Sequence, residues 1–136
     1  MMRTIARRLR CGGDDTGSSP VEFVLVGALL TLLTLGVLQF GLVVYVRNVV
    51  HDAAVEGAYR AALADETLAD GAARTRTLIT RAVGPTYATD VTATHAMLGR
   101  QPTVRVSVHV PLPLVGLLGM PRMLEVTADA PAESFG

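Results

Sequence analysis

From Phe23 to Val46 the chain carries no charged residue. That is about 24 residues, or about 36 Å of helix at 1.5 Å per residue. A bilayer core of about 30 Å needs about 20 such residues. Thr31, Thr34 and Gln39 are the main polar interruptions. A threonine hydroxyl can bond back to the preceding helical turn and so survives in lipid. A buried core helix normally shows one polar face, and this run shows almost none. A cleavable secretory signal has an apolar region of about 7–15 residues ending at small residues. This run is longer and ends at Tyr45, Val46 and Arg47. The run is therefore expected to be a retained single span.

Charge placement gives that span a direction. Arg3, Arg7, Arg8 and Arg10 precede any acid, although the formal net charge of the 136-residue chain is zero. Basic residues flanking a span favour the cytoplasmic side. The expectation is a single-pass protein of the cytoplasmic (inner) membrane, N-terminus inside, with everything after Arg47 outside. Half the residues are hydrophobic, too many for a disordered chain. No basic stripe follows the leader, so no nucleic-acid partner is expected. The lone Cys11 cannot form an internal disulfide.

Gly12–Gly17 is turn-rich and separates the leader from the helix. Ser19, Pro20 and Glu22 are spaced as an N-cap, first helical residue and third residue of a capping box. Beyond the span, Val50, Ala53, Ala54, Gly57, Ala58 and Ala61 recur at helical spacing on one face. These small residues would let a partner backbone approach closely. Glu56 and Arg60 stand four apart, in the order that favours an ion pair. A second helix is predicted over 69–83, stopped by Gly84 and Pro85. The period then changes to two. Val91, Ala93 and His95 mark one strand, and Gly99–Pro102 a turn. Val104, Val106, Val108 and Val110 mark the clearest strand, and Leu124, Val126 and Ala128 the last. An irregular apolar loop, Pro111 to Pro121, lies between the last two. The predicted fold is α+β: a long N-terminal transmembrane helix continuing into a small extracytoplasmic domain with a second helix and a small antiparallel sheet. The domains expected are a basic leader, 1–17, a transmembrane helix, 18–47, and the outer domain, 48–136.

Residues able to do chemistry are sparse. His51, His95 and His109 sit on different elements, and no HExxH, CxxC or phosphate loop occurs. His109 falls on the polar face of its strand and reads as solvated. Ser18 and Ser19 have no histidine nearby. No catalytic residue, metal or cofactor is expected, and the chain does not read as an enzyme.

Gly17-Ser18-Ser19-Pro20-Val21-Glu22-Phe23, with a basic leader before it and an apolar helix after it, resembles the TadE/TadG family of pseudopilins. Leu38-Gln39-Phe40-Gly41 and Ala53-Ala54-Val55-Glu56-Gly57-Ala58 are similar to two further family stretches. Gly27 stands where proline is frequent, Gln39 where glutamate is, and Val55 and Tyr59 where arginines are common. The resemblance implies cleavage by a prepilin peptidase between Gly17 and Ser18. It also implies an assembly role for Glu22 and Phe23, with the small face at Ala53, Ala54, Gly57 and Ala58 for helix packing. Its implied partners are other pilin-like subunits, the tight-adherence machinery, the peptidase and membrane lipid. The function implied is a minor pilin or pseudopilin, a structural subunit for assembling a tight-adherence (type IVb, Flp-type) pilus or related secretion system. A membrane-anchored extracytoplasmic binding module that does not polymerise is the alternative class. Loss of the leader separates the two.

Overall fold

The computed structural model of the chain describes residues 18–112 and 123–133. The basic leader, Cys11, the Gly12–Gly17 turn and most of the loop from Pro111 to Pro121 lie outside those residues. Two compact units divide at Gly36 and Val37.

Helix α1 (Ser18–Ala62) contributes to both units. In the first unit it is apolar all round and its side chains are exposed: Phe23 is 80% exposed and Leu29 66%. A core helix of a folded domain would be covered, so this stretch has the surface of a membrane segment. The Thr31 and Thr34 hydroxyls donate to the Gly27 and Leu30 carbonyls at 2.8 Å, which removes their cost in lipid. The capping box expected at Ser19 is not formed, and α1 begins at Ser18, two residues before the expected first helical residue, Pro20. Pro20 permits this because the first-turn N–H groups have no helical partner to lose. Glu22 therefore occupies the fifth helical position.

In the second unit the rest of α1 joins helix α2 (Leu68–Ala82), a single 3-10 turn (Pro85–Ala88) and strands β1 (Asp90–Leu98), β2 (Gln101–Pro111) and β3 (Met123–Pro131). The sheet is antiparallel in the order β1-β2-β3. With the apolar helix of the first unit, the fold is α+β.

The register explains the core. Val91, Val108 and Val126 form one cross-strand row, and Ala93, Val106 and Ala128 the next. All four β2 valines, Val104 to Val110, are buried. Their core partners in α1 are Val46, Val50, Ala53, Ala54, Ala58, Ala61 and Ala62. This core reaches back to Val46, inside the segment 18–47 expected to be the span. Nothing breaks α1 at Arg47, and the core takes in Val46, the last residue of the uncharged run. His95 shares the core-facing row with Val104 and is nevertheless exposed.

Element ends are chemically specified. Thr67 and Asp70 form a capping box at the start of α2: the Asp70 N–H donates to Thr67 Oγ1 at 3.2 Å, and the Thr67 N–H to Asp70 Oδ2 at 3.0 Å. Gly84, at φ 106°, turns the chain out of α2, and its N–H donates to the Ile79 carbonyl at 3.3 Å. Gly99, at φ 65°, and Arg100 make a two-residue hairpin between Leu98 and Gln101, tighter than the four-residue turn expected. Only the first central residue has positive φ, the pattern of a type II′ turn. The Glu133 N–H donates to the Ala62 carbonyl at 3.0 Å, satisfying one of the orphan acceptors at the end of α1.

Candidate functional site

Two parts of α1 hold the residues singled out by sequence. At its start, Ser18, Glu22 and Phe23 are exposed, and Gly17 lies outside the described residues. Ser18 and Glu22 are four apart, so their side chains leave the same helical face. Glu22 is the one charge in the exposed apolar stretch that follows Ser18. A carboxylate in that setting is costly unless matched.

Further along, Ala53, Ala54, Gly57 and Ala58 are buried against α2 and the sheet of the same chain. The closest approach is glycine to glycine. A Cβ added at Gly57 would lie 1.9 Å from Thr75 Oγ1 and 2.7 Å from the Gly71 carbonyl oxygen. One added at Gly71 would lie 2.4 Å from Ala61 Cβ and 2.5 Å from the Gly57 carbonyl oxygen. The buried Thr75 hydroxyl sits 3.1 Å from both the Ala53 and the Gly71 carbonyl oxygens and ties the two helices together.

Several charged contacts differ from the sequence expectation. Glu56 does not pair with Arg60. It accepts from Arg74 on α2 at 3.2 Å, while Arg60 pairs with Glu66 in the following loop. Docking of α2 offers Glu56 a partner across the helix pair, and exposed pairs of this kind differ by only about 0–1 kcal/mol. Arg76 Nη2 donates to the Val91 carbonyl at 2.7 Å, joining α2 to β1. Arg105 forks onto Asp129 at 2.7 and 3.0 Å. That pair holds the Asp129 carboxyl below its ordinary range and raises the Arg105 guanidinium. The Thr67 hydroxyl, then the Thr67 N–H, likewise lowers Asp70. His109 is on the polar face as expected, but between two acids: Nδ1 is 3.4 Å from Asp90 and Nε2 3.8 Å from Glu125. Among the described residues no group of three or more His, Cys, Asp or Glu is placed to hold a metal ion.

The arrangement is thus an exposed apolar helix with a carboxylate near its start, followed by a helix face closed by its own domain. Residues 17–58 match the family model described as TadE-like protein. The chain carries a TadE-like segment. It covers less than a third of the sequence. It takes in Ser18, Glu22, the uncharged run and the small-residue face as far as Ala58, and leaves out α2 and the sheet. No curated protein and no solved structure matches the chain.

The Thr67–Asp70 capping box, Gly71 and Thr75 were missed by sequence reading. The first was readable, since Thr-x-x-Asp ahead of a helical pattern is a start signal. The other two become visible only when α2 is laid on α1.

Proposed function

We propose that the protein is a minor pilin or pseudopilin of a tight-adherence pilus or related secretion machine. The TadE-like match over residues 17–58 carries this reading. The exposed apolar helix beginning at Ser18 supports it, because such a surface needs lipid or neighbouring helices. In this reading a prepilin peptidase cuts between Gly17 and Ser18 on the cytoplasmic side. Ser18 then carries a free amine, and Glu22 becomes the fifth residue. Phe23 and the apolar residues after it contact other subunits, and the domain after Arg47 stands outside the cytoplasmic membrane. The Glu22 carboxylate is matched by the Ser18 amine of an adjacent subunit, which the low-dielectric boundary strengthens. The role is structural, with no chemistry performed by this chain.

Glu22→Gln tests the assignment. It removes the charge and keeps the shape. The variant is expected to insert and accumulate but to lose co-purification with the pilus machinery. Losing one partner of a poorly solvated pair costs about 3–5 kcal/mol. Wild-type association would count against the carboxylate–amine pairing and weaken the pilin assignment.

A further inference from the structure

The sheet runs along α1 in a fixed direction. Near its start, β3 lines a cleft with α1: Glu125, Val126 and Thr127 lie beside Arg47, Asn48 and His51. Just past its end, the Glu133 N–H donates to the Ala62 carbonyl. Strand β3 therefore runs parallel to α1, and the Pro111–Met123 pair that ends the β2–β3 ladder lies at the side of the uncharged run. Residues 113–122, which lie outside the described residues, join the two strands there. They read Pro-Leu-Val-Gly-Leu-Leu-Gly-Met-Pro-Arg, with no charge before Arg122. A polar turn would suffice to join two strands. Leu114, Val115, Leu117, Leu118 and Met120 instead make an apolar patch that needs cover.

Helix α1 offers that cover. From Ser18 to Tyr45 every residue is exposed except Gln39 and Val43, which are half-buried. Spacings of four and three put both on the face that continues to Val46, where the buried core begins. Both belong to the second compact unit, which starts at Val37. Gln39 Oε1 is buried and has no hydrogen-bond partner among the described residues. An amide oxygen in an apolar setting is costly unless a donor meets it, and its valine neighbours supply none. The reach is short. The cleft sets Val126 near Val49, the helix residue midway between Arg47 and His51. From Val49 back to Gln39 is about 15 Å of helix, of which β3 from Val126 to Met123 already covers about 10 Å. We propose that residues 113–122 fold back over the Gln39–Val43 face of α1. A backbone N–H of that segment donates to Gln39 Oε1, and its leucines pack on Val43. This face of α1 is then closed to neighbouring helices, and lipid or other subunits meet the helix elsewhere.

The full chain in nanodiscs, carrying photoreactive benzoylphenylalanine at Leu114, Leu117 or Leu118, one position at a time, tests it. Mass spectrometry of the cross-linked peptides should find adducts on residues 39–46 of the same chain. The same probe at Met97, exposed at the other end of the sheet, should give none there. Thermal unfolding like that of wild type is the folding control for each probe-bearing chain. Absence of any adduct on α1 of the same chain would overturn the proposal, whether the probe joins lipid, a second chain or nothing. Gln39→Leu leaves the segment unmodified and gives an independent reading. It removes the acceptor and keeps an apolar side chain, so amide hydrogen exchange within residues 113–122 should quicken while exchange in β2 stays as it was. Unchanged exchange in the segment would overturn the hydrogen bond to Gln39.

Discussion

Gly57 shows how far a single missing methyl group can set a packing arrangement. The space its side chain would need is already filled by Thr75 Oγ1 and the Gly71 carbonyl. Gly57→Ala should therefore destabilise the protein by about 1–3 kcal/mol, the usual range for overpacking, seen as a lower thermal midpoint of the full chain in detergent. Thr75→Ala removes the nearer obstacle and should partly restore Gly57→Ala, so that the two changes are not additive. Additive losses would mean that the helices do not meet at this point. Asp70 makes a prediction of another kind. Its carboxyl is held below the ordinary value of 3.8, first by the Thr67 hydroxyl and then by the Thr67 N–H. A lowered folded-state value means that stabilisation is fully present above the ordinary value and is lost as pH falls through the lowered one. The stability difference between wild type and Asp70→Asn should thus be constant near neutral pH and shrink in acid. A difference that grows below about pH 4 would contradict the capping geometry.

At the scale of elements, what could be read from sequence was what local pattern decides. The four alternating valines of β2 mark a strand because a two-residue period has one burial solution. They become the centre of the sheet because both neighbouring strands supply small partners, such as Ala93 and Ala128, on the same face. The small-residue run after Arg47 was readable as a close-packing face, but the identity of Gly71 and Thr75 opposite it was not. Those residues are fixed by the rotation of α2, to which spacing within α1 is blind. Glu56 illustrates the same limit. Its helical neighbour Arg60 was the local choice, and Arg74 became the partner only after docking. Ser19 does not cap because α1 already includes it, and Pro20 is tolerated there since first-turn N–H groups have no helical partner. The β1–β2 hairpin offers a direct test of backbone control. Space around Gly99 is open, but its φ is 65°. Gly99→Ala should cost about 1–3 kcal/mol from backbone strain alone, since the first central position of this turn favours glycine. Equal stability of the two chains by thermal unfolding would show that the turn relaxes without positive φ.

At the scale of the whole molecule, one continuous helix carries two kinds of surface. Its early side chains are large, apolar and exposed, while its later ones are small and buried against the chain's own sheet. The change falls around Val46 and Arg47, where exposed apolar side chains give way to side chains packed on the chain's own domain without a break in the helix. The proposed topology, which rests on the Arg-rich leader, has the domain after Arg47 outside the cytoplasm. A reporter active only in the cytoplasm, fused after Gly136, should be silent, and full activity would reverse the orientation. The account also requires the basic leader to be temporary, since the Ser18 amine that meets Glu22 exists only after cleavage. The most direct measurement is the N-terminal sequence of the protein extracted from membranes of cells with an active prepilin peptidase. It should begin at Ser18, and Gly17→Leu should prevent that processing. A mature chain that still begins upstream of Gly17 would contradict the assignment as an assembling pilin.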